Sequence, residues 1–440
     1  MLNQTIPAVK GTRDVLPQES YKWRFVEEKL LDTARCFGFQ EIRLPVFEYT
    51  ELFQRGVGDT TDVVNKEMYT FMDKGGRSLT LRPEGTAGVV RSLMENGLYN
   101  EALPFKCSYI ASCYRYERPQ AGRLREFHQF GIECFGSALP TADAEVISLA
   151  RMALQNVGVE KLTLFINSIG CPDCRADYNR ELQAYFAAHE AKLCDTCKDR
   201  LQRNPMRILD CKCPECAALG KNAPLILESL CEPCGRHFDE VKRLLKLMNI
   251  PYKVNPRIVR GLDYYTRTVF EFVSDQIGAQ GTVCGGGRYD GLVSELGGPE
   301  LPALGFAMGL ERLLMVMEAT EVETPAPKGC EIYIAPMNRE ALERAVQLVR
   351  RLREEGFAAE SDLCGRSLKA QMKYAGKLRA RFCMVIGEDE LAAGQAVLKD
   401  MQTGEGRQAP LDERFVQVVY DAVVEDTYEQ IADSLEQFLP

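Results

Sequence analysis

The chain has 440 residues, more than a single hydrophobic core usually supports, so we expect two or three domains. Hydrophobic residues make up 45% of it and charged residues 27%, as in ordinary globular proteins, and no apolar run is long enough to cross a bilayer. The net charge of −9 argues against nonspecific nucleic-acid binding over the whole surface, and residues 1–14 lack a secretory segment, so we expect a cytoplasmic protein with no membrane partner.

The first part of the sequence predicts an amphipathic helix followed by a strand. Apolar side chains recur at spacings of three and four after Pro17, and Gly38 ends the pattern. The apolar positions of this helical face are Trp23, Val26, Leu30, Ala34 and Phe37. The next residues, FQEIRLPVF (39–47), predict a single strand. Pro45 favours an edge or an interface for this strand, because proline cannot donate to a β-ladder.

A glycine-containing turn, LRPEGTAG (81–88), precedes the next predicted helix. Glu84 offers a carboxylate that can hold an ammonium group, and Thr86 offers a hydroxyl. Capping of the helix N-terminus explains both residues equally well, so the residues alone leave the role of this turn open.

Arginines dominate the segment YRYERPQAGRLREFHQFGIE (114–133), which predicts a strand, a loop marked by proline and glycine, and a second strand. Glu117 is the single acid among the arginines, which are Arg115, Arg118, Arg123 and Arg125. Arginine presents a planar fork that binds phosphate oxygens in pairs. In a chain of net negative charge, this hairpin predicts an anionic substrate.

Residues 171–250 predict a cysteine-rich, mostly helical insert. Nine of the 17 cysteines lie in it, in CPDC, CDTC, CKCPEC and CEPC: Cys171, Cys174, Cys194, Cys197, Cys211, Cys213, Cys216, Cys231 and Cys234. Two such pairs can complete a tetrahedral structural zinc site. Reduced thiols without metal are an equally good interpretation, because pairing cannot be read from one sequence.

Strand and turn patterns return after the insert. VRGLDYYTRTVFEF (259–272) joins Arg260 to two tyrosines, and the glycines of GGGRYDGL (285–292) allow either close approach of a ligand or a tight hairpin. GFAMGLERLLMVME (305–318) predicts one helix that carries Arg312. The prolines at 325 and 327 indicate a linker to a small α/β domain.

Together these segments resemble the catalytic core of class II aminoacyl-tRNA synthetases, most closely the histidyl-tRNA synthetase family. The family's first motif is similar to residues 23–47, its second to the hairpin with Arg115 and Glu117, and its third to GFAMGLERLL with Arg312. RGLDYYT and GGGRYDGL are similar to the two signatures particular to the histidine enzymes.

The resemblance implies an α+β fold, with an antiparallel sheet flanked by helices. The catalytic domain would span residues 1–325 with the helical insertion at 171–250, and an α/β anticodon-binding domain would span 326–440. It also implies a homodimer, with residues 23–47 at a two-fold interface.

The implied reaction activates L-histidine with ATP and Mg²⁺ to an adenylate and transfers it to the 3′ end of tRNA(His), releasing AMP and diphosphate. By resemblance, Arg115 and Arg260 are catalytic, and ATP contacts Arg115, Glu117, Arg123 and Arg312. The histidine site implied in the same way comprises Glu84, Thr86, Gln129, Glu133, Arg260, Tyr264, Tyr265 and Tyr289. Neutral imidazole has one N–H donor and one acceptor nitrogen, so Glu133 is expected to accept from it and Tyr265 to donate to it.

The tRNA is expected to contact Arg118 and Gln120 in the hairpin loop and Lys369, Lys373 and Lys377 in the C-terminal domain. These lysines lie four residues apart, hence on one helical face, in a segment (364–386) without an acid. Such a face is most often solvated surface, but the resemblance to an anticodon domain favours phosphate contact.

Two other interpretations predict different functions. A catalytically inactive paralogue that regulates ATP phosphoribosyltransferase shares this core, but typically lacks the anticodon domain. A zinc-stapled RNA-binding protein would use the cysteine insert and catalyse nothing.

Overall fold

An eight-stranded sheet organises the first of two compact units, Met1–Pro325 and Ala326–Pro440. The computed structural model describes residues 6–58, 61–211, 213–259, 261–278, 281–327 and 329–424. Across these ranges, no helix combines the length and apolar character needed to span a lipid bilayer.

The strands of the first unit are, in chain order, β1 (Gln40–Glu41), β2 (Phe47–Tyr49), β3 (Thr70–Met72), β4 (Ser78–Leu81), β5 (Phe105–Tyr114), β6 (Glu126–Phe135), β7 (Thr163–Ser168), β8 (Lys253–Val254), β9 (Thr266–Val273), β10 (Thr282–Arg288) and β11 (Ala303–Gly309). Its helices are α1 (Pro17–Cys36), α2 (Thr50–Val57), α3 (Thr86–Glu95), α4 (Pro140–Asn156), α5 (Pro172–Ala187), α6 (Asp195–Arg203), α7 (Pro214–Gly220), α8 (Glu232–Leu247), α9 (Leu292–Glu295) and α10 (Leu310–Ala319).

The large sheet has the order β1-β5-β6-β11-β10-β9-β7-β8. Its six central strands pair antiparallel, whereas β1 and β8 pair parallel at the two edges, so the sheet is mixed. The predicted arginine hairpin is confirmed: β5 and β6 pair from Phe105↔Phe135 to Tyr114↔Glu126. The α+β class is confirmed as well.

Helix α1 covers one face of this sheet, as its apolar spacing predicts. Pro17 is its first residue, and Trp23, Val26, Leu30 and Ala34 are buried in a core shared with α4 and α10. Burying side chains of this size typically stabilises a fold by about 1.5–3 kcal/mol each, which holds α1 in place without strong end caps.

The prediction of one strand over residues 39–47 is wrong. The segment forms β1, which pairs with β5, and then β2, which pairs with β4 in a separate three-stranded sheet of order β2-β4-β3. Pro45 lies between them, where the backbone changes sheets and the absence of an N–H removes no ladder hydrogen bond.

The prediction of one helix over residues 305–318 is also wrong in its first part. Residues Ala303–Gly309 form β11, which is hydrogen-bonded on both sides to β6 and β10, and α10 begins only at Leu310. A short apolar run that is covered on both faces has no alternation, so its spacing cannot distinguish a buried strand from a helix.

The insert contains α5, α6, α7 and α8, joined by short 3-10 turns that include Pro205–Ile208. It leaves the large sheet after β7 and returns to it at β8. Its buried apolar side chains include Tyr178, Leu182, Phe186 and Leu201, which belong to a core shared with α3 and β5.

The second unit is built on a five-stranded sheet of order β13-β12-β14-β15-β16. Its strands are β12 (Ile332–Pro336), β13 (Ala359–Ser361), β14 (Phe382–Ile386), β15 (Gln395–Asp400) and β16 (Gly406–Pro410). Its helices are α11 (Arg339–Glu354), α12 (Leu368–Lys377), α13 (Glu388–Ala393) and a segment at 415–424. Strand β12 pairs parallel with both neighbours, as in a βαβ arrangement.

Candidate active site

A cavity of about 380 Å³ lies in the first unit, over the centre of the large sheet. We call it the central cavity. Of the residues predicted to bind ATP or histidine, it is lined by Glu84, Thr86, Arg115, Glu117, Arg123, Gln129, Glu133, Tyr264, Tyr265, Tyr289 and Arg312. Arg260, the remaining one, lies outside the described residues; its neighbour Gly261 lines the cavity. Segments far apart in sequence therefore converge on one space.

The alternation of side chains along β6 explains why this strand of the hairpin contributes several residues to the wall of the central cavity. Phe127, Gln129 and Glu133 occupy odd positions of β6, so their side chains share the face that lines the cavity. Gly305 follows on β11, opposite Glu133 in the register. A Cβ at 305 would collide with the Glu133 carboxylate, so glycine is required there.

One end of the central cavity is rich in arginine. Arg115 donates from Nε to the Pro83 carbonyl oxygen (2.8 Å) and lies 5.3 Å from the Phe127 ring centroid. Arg312 donates from Nε to the Gly122 carbonyl oxygen (3.0 Å) and from a terminal nitrogen to that of Thr282 (2.9 Å). Burial, together with the charges of Arg123 and Arg115, lowers the pKa of Arg312. Each guanidinium is thus held in place, among like charges that an anion would offset.

Internal contacts order the hairpin loop. Glu117 forms an ion pair with Arg123, and Arg125 lies over the Tyr116 ring at 4.2 Å. Gly122 has a φ of +68°, a region that disfavours other residues, and its carbonyl accepts from Arg312. The loop is thereby tied to α10.

The other end of the cavity holds a buried carboxyl group. Glu133 is 1% exposed and accepts hydrogen bonds from the hydroxyls of Thr86 (2.7 Å), Tyr109 (3.4 Å) and Tyr289. Burial raises the pKa of Glu133 to about 8, and the nearby charge of Glu84 acts in the same direction, although the hydrogen bonds oppose the shift. This carboxyl group changes its protonation state close to neutral pH.

Glu84 serves as a helix cap in this structure. Its carboxylate accepts from the backbone N–H groups of Thr86 (2.7 Å) and Ala87 (2.8 Å), at the first turn of α3. Burial raises its pKa, against these hydrogen bonds. The capping interpretation is therefore correct for its contacts here, and it coexists with the position of Glu84 on the cavity wall.

Three tyrosines close the carboxyl end. The ring centroids of Tyr264 and Tyr265 are 4.7 Å apart, and that of Tyr289 lies 5.5 Å from Tyr264. Gln129 accepts a weak hydrogen bond from the Cys113 thiol (3.4 Å). This end thus offers aromatic faces and a few polar atoms.

Two residues that the motifs did not identify also belong to the site. Tyr109, on β5, donates to Glu133, and its inward direction follows from the alternation along that strand. Arg207, from the 3-10 turn of the insert, lines the cavity and contacts Asp263 and Gly261. No local sequence signal distinguishes Arg207 from the other arginines of the insert.

The predicted tRNA-contacting residues do not line the central cavity. Arg118 is exposed, and Gln120 forms a two-way backbone bridge with Arg123 in the hairpin loop. In the second unit, Lys369, Lys373 and Lys377 are all exposed on α12, whose buried side is formed by Gln371 and Ala375. None of the three lysines forms an ion pair with another described residue of that unit.

The cysteines of the insert gather into two groups of four. The first contains Cys171, Cys174, Cys231 and Cys234, and the second contains Cys194, Cys197, Cys211 and Cys216. Cys213 belongs to neither group. Each group offers four soft ligands to a metal ion.

Comparisons with known proteins agree with this architecture. A family model described as histidyl-tRNA synthetase matches residues 11–313, and one described as an anticodon binding domain matches residues 331–419. The histidine–tRNA ligase of Acetivibrio thermocellus is 56% identical over 405 residues, covering 92% of this chain and 97% of the relative. That of Caldanaerobacter subterraneus subsp. tengcongensis is 53% identical over 406 residues, with the same coverage.

Solved structures give the same picture. Apo S. aureus histidyl-tRNA synthetase is 38% identical with a TM-score of 0.81, covering 94% of this chain and 100% of that one. A structure described as an ATP phosphoribosyltransferase regulatory subunit/histidyl-tRNA synthetase from Bacillus halodurans C is 23% identical with a TM-score of 0.61, covering 85% and 97%. At that identity the second similarity concerns the fold alone.

Proposed function

Because the chain belongs to the histidyl-tRNA synthetase family and is a ligase that joins histidine to tRNA, we propose that the central cavity binds ATP and histidine side by side. The observation that carries the proposal is the polarity of the cavity. Fixed guanidinium groups occupy one end, and a buried carboxyl group among tyrosines occupies the other. ATP matches the first end and an imidazole matches the second.

The arginine end has the groups that adenylate formation requires. A carboxylate oxygen of histidine attacks the α-phosphorus, a new P–O bond forms, and the bond to the bridging oxygen breaks as diphosphate leaves. Negative charge builds on the α-phosphate, and cations that are already in place stabilise it without reorganising. We assign this role to Arg115 and, by motif, to Arg260, with Arg123 and Arg312 toward the leaving phosphates and Glu117 holding Arg123 for ATP binding.

Class II synthetases use ATP with Mg²⁺. The carboxylates at the arginine end, Glu67 and Glu311, are hard oxygen donors of the kind that Mg²⁺ prefers, and the ion would supply charge neutralisation for the leaving diphosphate. Glu311 also accepts from the His128 backbone N–H (3.0 Å) and is 2.9 Å from His128 Nδ1, which fixes its position.

Selectivity for histidine follows from the paired polar groups of the carboxyl end. Glu133 in its ionised form accepts the imidazole N–H, and the Tyr265 hydroxyl donates to the bare nitrogen. Tyr264 and Tyr289 enclose the ring, while Glu84, Thr86 and Gln129 orient the α-amino and carboxylate groups. An amino acid lacking either imidazole nitrogen would leave a buried polar group unpaired, which costs affinity.

The second step needs access for the tRNA 3′ end. Its terminal ribose hydroxyl attacks the carbonyl carbon of the adenylate, and AMP leaves. Exposure of Arg118 and Gln120 in the hairpin loop supports contact with the acceptor end. The exposed lysines of α12, Lys369, Lys373 and Lys377, support contact with the phosphates of the anticodon region.

We also propose that the chain acts as a homodimer. The apolar face of α1 is buried within its own unit, but the small sheet exposes three large apolar side chains that the strand register places on one face: Phe47, Tyr49 and Phe71. Exposed apolar clusters of this kind mark protein interfaces. The occupant we assign is a second copy of this chain, at the end of the predicted interface segment.

Histidine-dependent ATP–diphosphate exchange tests the assignment of the cavity. Removing one transition-state donor typically costs about 10²–10³ in rate, so Arg115→Ala and Arg260→Ala should each lower the exchange rate on that scale. Arg243→Ala, an exposed residue of α8 paired with Glu240, is the matched control and should leave it unchanged. Near-normal exchange in both cavity variants would contradict the proposal.

A further inference from the structure

The insert contains two sulfur quartets, and the second lies beside a turn that reaches the central cavity. We propose that the insert is a two-zinc module whose inner ion positions Arg207 against the loop that follows Arg260. The outer quartet is Cys171, Cys174, Cys231 and Cys234; the inner quartet is Cys194, Cys197, Cys211 and Cys216. The positioning half of this inference rests on the proposed function of the cavity, whereas the metal half does not.

The sulfur spacing fits a single tetrahedral ion. With a Zn–S distance of about 2.3 Å, the sulfurs of a tetrahedral site lie about 3.8 Å apart. Cys171 Sγ lies 3.6 Å from Cys174 Sγ and 4.0 Å from Cys231 Sγ, and Cys194 Sγ lies 3.9 Å from Cys211 Sγ. Within each quartet all four sulfurs lie within 4.8 Å of one another.

Two other uses of the cysteines fit less well. A disulfide needs its sulfurs at about 2.05 Å, well inside the 3.6–4.0 Å found here. A polynuclear iron–sulfur cluster holds its cysteines further apart, because its own irons and sulfides lie between them.

Backbone groups around the sulfurs favour thiolates. Cys231 N–H points to Cys174 Sγ (3.1 Å), and Cys194 N–H points to Cys216 Sγ (3.3 Å), so ligands of each quartet are linked through a backbone donor. Cys171, Cys194 and Cys231 each precede the first turn of a helix, where free N–H groups favour negative charge. These are the interactions that orient and stabilise metal-bound sulfur.

The outer quartet closes the base of the insert. Its two pairs lie at the starts of α5 and α8, and Cys174 and Cys231 are separated by 57 positions. An ion here would fix the two ends of a long insert, so the binding energy of the ion would contribute directly to the folding of the insert.

The inner quartet brackets the turn that carries Arg207. Cys194 and Cys197 lie at the start of α6, Cys211 and Cys216 lie beyond the turn, and the 3-10 turn Pro205–Ile208 is between the two pairs. The Cys211 N–H donates to the Ile208 carbonyl oxygen (3.1 Å). An ion joining these pairs would therefore hold both flanks of the turn.

Arg207 links this turn to the cavity. It is 9% exposed, and it donates to the Gly261 carbonyl oxygen (2.6 Å) and to Asp263 Oδ1 (2.9 Å). Asn204 donates to the same Asp263 oxygen (3.1 Å). Residues 261 and 263 immediately precede the paired tyrosines, so Arg207 acts as a positioning residue for the histidine site.

Metal analysis of the full-length protein tests the first half. Plasma mass spectrometry should find two zinc ions per chain in the unaltered protein. It should find one zinc ion per chain in Cys174→Ser, and one in the double variant Cys197→Ser/Cys211→Ser. Cys213→Ser is the control, because Cys213 lies in the same loop but in neither quartet, and it should retain two. Cys211→His should keep the inner ion, since an imidazole can replace one thiolate. Fewer than one zinc in the unaltered protein, or iron as the main metal, would overturn the assignment.

Kinetics test the second half. Arg207→Ala, which changes no cysteine, should raise the KM for histidine about tenfold or more while the thermal midpoint and zinc count stay near those of the parent. The double variant Cys197→Ser/Cys211→Ser, which loses the inner ion, should show the same rise in the KM for histidine. Cys174→Ser, which loses only the outer ion, should not. Normal histidine KM in Arg207→Ala, or in protein shown to lack the inner zinc, would refute the positioning role. The zinc counts would stand by themselves even if the cavity were assigned wrongly.

Discussion

Glu133→Gln gives a sharp test, because one substitution should change stability and catalysis in opposite directions. In the folded protein burial raises the pKa of Glu133 from about 4.5 to about 8, so the folded state binds a proton that the unfolded state releases between these two values. Stability from this group is therefore fully present below about pH 4.5 and is lost as the pH rises to about 8. At one pKa unit per 1.36 kcal/mol, the loss is on the order of 5 kcal/mol. Glutamine has the same shape and no charge, so it should avoid that loss.

The assay is thermal unfolding of both proteins at pH 5, 7 and 9. We expect the variant to gain stability relative to the parent as the pH increases, with the largest difference at pH 9. Glu343→Gln, which removes an exposed carboxylate from α11, should follow the parent at every pH. In ATP–diphosphate exchange at pH 8, Glu133→Gln should raise the histidine KM by about 10–100-fold, since a charge-assisted hydrogen bond is worth about 1.5–3 kcal/mol. A stability difference that does not vary with pH would refute the reasoning about the buried carboxyl group.

Two further predictions concern surfaces. Replacing Lys369, Lys373 and Lys377 by glutamine should weaken tRNA binding and reduce the magnitude of the slope of log affinity against log salt by about 2–3, with ATP–diphosphate exchange unaltered. The control is Arg350→Gln, since Arg350 is paired with Glu354 on α11. An unchanged slope in the lysine variant would exclude these lysines from the interface. Phe47→Glu combined with Phe71→Glu should shift the protein from dimer to monomer in sedimentation velocity, because both side chains are exposed on the apolar face of the small sheet (53% and 45%). A parent protein that sediments as a monomer at micromolar concentration would contradict the dimer.

Local chemistry was enough to identify the arginine hairpin and helix α1. The hairpin has strand residues on both sides of a proline- and glycine-marked loop, and α1 has a helical apolar stripe that stays on one face. The resemblance of the motifs to a known family also indicated residues that line one cavity in the structure. Glu84 shows the limit of this reasoning, since a helix cap and a ligand-binding carboxylate have the same sequence pattern.

Other features depended on neighbours that are distant in sequence. Residues 303–309 form a strand because β6 and β10 hydrogen-bond to them from both sides, which their own spacing does not reveal. Arg207 joins the site through contacts with residues 54 and 56 positions away. The grouping of the cysteines also depended on the approach of the start of α8 to the start of α5 and on the packing of α6 against the turn. The CxxC spacing alone does not show which pairs come together.

The sequence by itself indicated the family and the reaction through the resemblance of its motifs, and it indicated the arginine hairpin and helix α1 through residue types and spacings within single elements. The tertiary structure decided which of the expected site residues share a cavity, how deeply each is buried, and which cysteines stand together. Burial and proximity depend on how separate segments pack, and they set the pKa of Glu133 and the arrangement of the two sulfur quartets.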